Sequence, residues 1–356
     1  MSAISSLVSN SGKAAVGVAK LYNPRRMREK GLLWTALLML GTAAVIIVIL
    51  GIYWSGEPDH FDIREAASAR AEAAGVTLVP GYVTAATVMG VAQTLLEKPG
   101  GYLSNDIMPP GVYLDNMPRW EFGVLVQVRD FMRTLRSDFS RSQTQSAEDR
   151  DLIVAEPQFN FTNDRWMLPS TEGEYKEGIE ALNRYLLRLA DDNQADAQFY
   201  TRADNLRDWL AAVEKRLGSL SQRLSAAVGQ SRLNTNLAGS TVAHQSTATP
   251  DEVMVRTPWT QVDNVFYEAR GATWALLHFL RAIEVDFNDV LADKNAVVSL
   301  RQIIRELEST QLPMWSPIIL NGTGFGLFAN HSLVMGSYIS RANAGISDLR
   351  SLLQQG

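Results

Sequence analysis

The chain has 356 residues, no cysteine and a net charge of −5, with 20% of its residues charged. Without cysteine it has neither a disulfide framework nor thiolate metal ligands. The charge is segregated: Lys13, Lys20, Arg25, Arg26, Arg28 and Lys30 stand against one acid, Glu29, before position 31, which leaves 27 basic and 37 acidic residues after it, and so acidic a main body lacks the basic face that nucleic-acid binding requires.

Residues 1–30 read as a basic tail. Ala14, Val16, Val18 and Leu21 lie around Lys13 and Lys20, as in an amphipathic segment resting on an anionic leaflet. The plainer expectation is a tail whose charges only set topology. Residues 31–54, GLLWTALLMLGTAAVIIVILGIYW, are wholly uncharged, and no charge occurs between Lys30 and Glu57. About 20 apolar residues cross the hydrocarbon core, and a single segment satisfies its own backbone there only as a helix. One transmembrane helix is predicted, with Trp34 suited to one interface and Tyr53 and Trp54 to the other. The basic flank puts the N-terminus in the cytoplasm and the main domain on the far side. The long basic preamble and the lack of a small-residue cleavage site after Trp54 favour a retained anchor over a cleaved signal.

Residues 55–81 read as linker and stalk. Glu57–His60 is a short connection, and Asp62–Gly75 is an alanine-rich helix with a glycine stop and a thin apolar face. Thr84–Lys98 reads as a helix with Val88, Val91, Leu95 and Leu96 on one side, closed by Pro99–Gly101. Gly100–Gly123 is irregular, because Pro109, Pro110, Gly111 and Pro118 forbid a continuous helix. It carries Tyr102, Asn105, Asp106, Tyr113, Asp115, Asn116, Arg119 and Trp120. These are the candidate partner-contact residues, with Tyr102, Tyr113 and Trp120 as anchors. The competing expectation is that the same aromatics close the domain's own core.

Arg119–Arg141 shows helical periodicity through Phe122, Leu125, Val128, Met132, Leu135 and Phe139. Arg129, Arg133 and Arg136 lie towards its other side, read as a solvated face with local ion pairs rather than an anion-binding strip. Residues 142–155 are polar around a brief DLIVAE run, and Gln158–Pro169 is a second irregular aromatic stretch, expected to pack on the helices. Ser170 or Thr171 caps the next helix, which buries Ile179, Leu182, Leu186 and Leu189. A long helix from about Ala195 to Ser231 carries a heptad seam of Leu206, Leu210, Val213, Leu217, Leu220 and Leu224. The seam is expected to pack on the preceding helix as an antiparallel hairpin, and the alternative is a homo-oligomer formed through it.

Arg232–Pro258 reads as a mobile polar connector between one helical region (82–231) and another (259–356). In the later region, Thr260 to about Leu291 is a helix with Val262, Phe266, Ala269, Leu276, Leu280, Ile283 and Phe287 inward. Asp293 caps a shorter helix through Thr310, Leu312–Phe328 is broken by prolines and glycines, and a last helix runs from about Leu333 to Leu353.

Reactive constellations are scarce. His60, His244, His278 and His331 show no metal-ligand spacing, and His278 reads as a core histidine. Gly322, Gly324 and Gly326 miss the nucleotide-loop spacing, and Gly-x-Ser-x-Gly is absent. Glu308–Ser309, followed by Gly324–Leu327, resembles the Glu-Ser and Gly-Leu elements of lytic transglycosylases, but their Gly-Leu-Met-Gln run is missing. Asp106 and Asp115 are a second carboxylate pair to consider. No catalytic, cofactor or metal residue is therefore assigned.

The combination of basic tail, one anchor, and then GYLSNDIMPPG, DNMPRWEFG and LPSTEGEYKEG resembles a bacterial family catalogued as a domain of unknown function, made of single-pass, N-in inner-membrane proteins of Gram-negative bacteria. The resemblance implies inner-membrane anchoring and a periplasmic helical domain, and no activity. The resulting expectation is a mainly α protein, with one N-terminal transmembrane helix and a periplasmic helical bundle containing long antiparallel hairpins. It would act as a non-enzymatic interaction, scaffold or assembly subunit towards other envelope proteins. The alternatives are a peptidoglycan-active enzyme or a self-assembling homo-oligomer.

Overall fold

The computed structural model describes residues 22–143, 145–191, 196–233, 252–314, 316, 318–323 and 326–355. The chain divides into two units, Met1–Trp54 and Ser55–Gly356.

In the first unit, α1 (Pro24–Lys30) starts at Asn23, whose side chain accepts the Arg25 amide, and stops at Gly31, where φ is +85°. The helix α2 (Leu32–Trp54) follows, 23 residues with none buried. At about 1.5 Å per residue it is roughly 35 Å long, which matches the hydrocarbon thickness. One helix near the N-terminus is thus long and apolar enough to cross a membrane. The Lys13–Lys20 segment lies outside the described residues.

The second unit is mainly helical among the described residues, with almost no sheet. Asp62 caps α3 (Ile63–Ala74) by accepting the Arg64 and Glu65 amides, and Gly75 closes it in the left-handed conformation. Rather than forming a stalk, α3 lays Ile63, Ala67 and Ala71 against α4 (Tyr82–Glu97). An alanine face is thin in sequence, but small side chains permit close packing. The helix α4 is buried over most of its surface and packs against α3, α5 (Asn116–Thr134), α7 (Thr171–Leu189) and α9 (Val262–Asp286). A π-helical turn, Leu135–Phe139, extends α5. The DLIVAE run belongs to a helix of its own, α6 (Arg150–Phe159), capped by Asp149.

The centre of the unit is the crossing of α5 and α9. Cβ atoms on Gly123 and Gly271 would collide with the carbonyl oxygens of Glu268 and Trp120 respectively, so each glycine admits the other helix's backbone. Trp120 and Trp274 meet there with ring centroids 5.2 Å apart, and Phe131 continues the aromatic core to Phe139, Trp209 and Phe279.

The long seam helix is α8 (Ala203–Ser225), starting later than its sequence suggests. All six seam residues are buried, but against the C-terminal helix α12 (His331–Gln354) rather than the preceding α7. The pair is antiparallel: Ser221 Oγ donates to the Gly336 carbonyl at one end, and Arg350 pairs with Glu214 at the other. Helices from both sides of residues 232–258 therefore share one core. The ends of that connector form an antiparallel strand pair, β1 (Gln230–Leu233) with β2 (Glu252–Val255), the register running from Gln230↔Val255 to Leu233↔Glu252. Residues 234–251 lie outside the described residues.

After α9 the chain breaks at Phe287 into α10 (Asn288–Asp293), so Asp293 ends a helix instead of capping one. Asn295, with φ of +52°, reverses the chain, and α11 (Val297–Glu308) begins after Ala296.

Candidate functional site: two braced loops

The two irregular stretches singled out in the sequence lie together. The first loop, between α4 and α5, is fastened from beneath by a buried ion pair. Lys98 Nζ lies 2.5 Å from Glu121 Oε1, and both side chains are wholly inaccessible. Glu121 also accepts the Leu103 amide (2.8 Å), the Ser104 amide (2.8 Å) and the Ser104 hydroxyl (2.5 Å), while Lys98 donates to the Gly101 carbonyl. Burial pushes the Glu121 carboxyl upward, and Lys98 with these donors opposes the shift. A buried carboxylate is tolerable only when neutralised and hydrogen-bonded in this way.

The second loop, between α6 and α7, is tied as tightly. Arg129 on α5 donates to the carbonyls of Phe159 and Phe161, each at 2.7 Å. Thr171, fully buried, closes the six-residue turn: its amide donates to the Arg165 carbonyl (2.9 Å), and its Oγ1 accepts the Arg165 amide (3.1 Å). Ser170 caps α7, as the sequence suggests.

The loops brace each other. Tyr102 OH donates to the Asn163 carbonyl (3.0 Å), and Asn105 Nδ2 donates to the Arg165 carbonyl (3.0 Å) and to Glu172 Oε2 (2.8 Å). Asp106 folds over Gly111, where no Cβ would fit, and its carboxyl is pushed up by burial and by the charge of Glu172.

The sequence-predicted contact residues therefore separate. Tyr102, Asn105 and Trp120 are buried and serve the loop and the core, so Tyr102 and Trp120 are corrected as anchors and Asn105 as a contact residue. Asp106 and Asn116 are half-buried, whereas Tyr113, Asp115 and Arg119 are more open, Tyr113 the most so at 73%. Sequence reasoning missed the apolar tips. Met108 is 72% exposed, with Ile107 and Val112 beside it. On the adjoining loop Leu168 is 91% exposed, and Trp166 and Met167 are open as well. The available signal was apolar residues set against prolines, IMPPGVY and WMLP, outside any helical period.

The arginine row on α5 is structural to a large extent. Arg129 holds the second loop, Arg136 pairs with Glu148 and Glu156, and Arg133 is exposed. Glu308 pairs with Arg281 at 2.8 Å, at a cleft also lined by Arg64, Arg301 and Arg305. His278 is a buried core residue whose ring lies 5.0 Å from that of His60, a neighbour that spacing in sequence does not reveal. Among the described residues no group of three or more His, Asp and Glu side chains is placed to hold a metal ion.

These features describe a helical domain with a preformed apolar surface. The chain belongs to the DUF2333 family, described as an uncharacterised protein conserved in bacteria, whose profile matches residues 27–356. No curated protein and no solved structure matches it.

Proposed function

We propose that this chain is a single-pass inner-membrane protein, N-terminus in the cytoplasm, whose domain from residue 55 onward is a non-enzymatic interaction module in the periplasm. The partner is another envelope protein, and it docks on the tips of the two braced loops. The observation that carries this reading is the outward set of Met108, Tyr113, Trp166, Met167 and Leu168 on loops whose bases are locked by a buried ion pair and mutual hydrogen bonds. Apolar side chains on a preordered backbone lose little further entropy on binding, which is what a contact surface needs. Basic flanking charge before α2 supports the orientation.

The other readings are less well supported. The glycan-cleaving alternative rests on Glu308, which is engaged by Arg281, or on Asp106 and Asp115, of which Asp106 is folded over Gly111 while Asp115 is exposed. Self-assembly through Leu206–Leu224 would require a seam that α12 already covers.

The test is affinity purification of the tagged full-length protein from its own membranes, beside the double variant Met108→Asp, Leu168→Asp. A stoichiometric partner that is lost in the variant, with the melting temperature unchanged, is the expected result. A partner retained by the variant would place the contact elsewhere.

A further inference from the structure

The longest run without a charged residue in this chain is not the apolar span but Ser309–Ser340, between Glu308 and Arg341. A shorter one, Ala73–Leu96, lies largely in the buried helix α4. Ser309–Ser340 is different, because Leu312, Ile318, Leu327, Phe328 and Val334 are exposed, Leu327 completely. Within it, the chain around Leu320–Gly322 is pinned to that around Asn330–His331. The His331 amide donates to the Leu320 carbonyl (2.9 Å), the Leu320 amide to His331 Nδ1 (3.0 Å), and Asn330 Nδ2 to the Gly322 carbonyl (2.5 Å). Leu327 and Phe328 lie in the chain between these two segments. An open, mostly apolar cleft of about 480 Å³ continues the surface, walled by Phe266, Leu312, Met314, Val334, Met335 and Tyr338.

A second observation places this surface along the chain. Arg270 on α9, itself buried, grips the Glu57 carboxylate (Nε to Oε1, 2.7 Å) and donates through Nη1 to the carbonyls of Thr310 (3.1 Å) and Leu312 (3.0 Å). One guanidinium thus fastens the chain three residues beyond Trp54 to the start of the uncharged run. Three residues of chain reach at most about 11 Å.

We propose that the surface formed by Leu312, Ile318, Leu327, Phe328 and Val334 is a second membrane contact, docking into the interface of the same bilayer that α2 spans; this rests on the reading of α2 as a transmembrane helix. The run carries no Asp, Glu, Lys or Arg, and the arginine that lines the cleft, Arg270, is already paired with Glu57, so little charge is desolvated on entering the headgroup boundary while the apolar side chains gain by leaving water. The pairing around Leu320 and His331 satisfies their amides and the Leu320 and Gly322 carbonyls, polar groups that lipid would otherwise leave without partners.

The chain has no cysteine, so single cysteines report cleanly. Full-length Phe328→Cys, Tyr53→Cys and Asp164→Cys proteins, each carrying an environment-sensitive fluorophore, are reconstituted in protein-free phospholipid vesicles. The expected result is that probes at 328 and 53 lose most of their emission to doxyl-lipid quenchers and little to iodide, while the probe at 164 behaves oppositely. If 53 reports lipid and 328 water, the docking is overturned and the anchor stands. If 53 also reports water, the anchor reading falls and takes the docking with it. A probe at 328 that is aqueous in vesicles but shielded in native membranes overturns the lipid assignment in favour of a protein partner.

Discussion

Lys98 and Glu121 illustrate how single residues set this surface. Their separation of 23 positions hides the pairing in the sequence, although Glu121 stands within the DNMPRWEFG motif. In the fold they are the buried floor of the first loop. Removing one partner leaves an uncompensated buried charge, at a cost of about 3–5 kcal/mol. Lys98→Met should therefore lower stability by that order in chemical denaturation, and its first loop should lose amide protection. His278 makes a pH-dependent contribution. Its ring donates from Nδ1 to the Trp274 carbonyl (2.8 Å) and accepts the Phe61 amide at Nε2 (3.3 Å), which requires the neutral form, and burial pushes its pKa down to about 3. The folded value lies below the ordinary one near 6.5. The contribution is complete above pH 6.5 and is lost as pH falls from there towards 3, at up to about 1.4 kcal/mol per unit. Urea midpoints measured from pH 7.5 to 4.5 should fall less steeply in His278→Gln than in the wild type. At this scale the sequence marks His278 as a core residue, offers Trp120 as a contact anchor with core burial only as the competing expectation, and supplies no partner for Lys98.

Among the elements, those with strong apolar periodicity are legible: α5, α7 with its Ser170 cap, the seam of α8 and the long α9. What periodicity does not encode is which helix faces which. The seam of α8 suggests its neighbour in sequence, whereas α12, more than a hundred residues further on, covers it. Boundaries shift where local chemistry overrides the pattern, as at Asn295 and in the π-helical turn after α5. Two consequences follow from the packing. Leu217→Ala should cost about 2–5 kcal/mol through the cavity it opens between α8 and α12, without changing the oligomeric state seen by light scattering. Gly271→Ala drives a methyl group into the Trp120 carbonyl and forces α5 and α9 apart, so it should destabilise by about 1–3 kcal/mol or more although it only adds a carbon. A neutral Gly271→Ala in thermal denaturation would contradict the close crossing described for these helices.

For the whole molecule, the sequence suffices to locate an apolar span, a helical domain and the family. It also singles out the Gly100–Gly123 loop, but several of the side chains it picks there are ones the fold buries. The reason is physical: aromatic and polar residues of the Gly100–Gly123 loop look like a surface, but Tyr102, Asn105 and Trp120 make contacts with residues some 60 to 150 positions away, and only the fold brings those into reach. The exposed tips follow once the inward residues are known. Surface substitutions away from such contacts usually change stability by no more than about 0.5 kcal/mol, so Met108→Ser and Trp166→Ser should leave the melting temperature nearly unmoved while weakening partner recovery. The most direct measurement of the central claim is site-specific photocrosslinking from Leu168 of the full-length protein in its native membranes, with Ser347 on α12 as the comparison position. A discrete protein adduct from Leu168 and none from Ser347 is the expected result. Equal, diffuse labelling from both positions, or none from Leu168, would contradict a docking surface at the two loops.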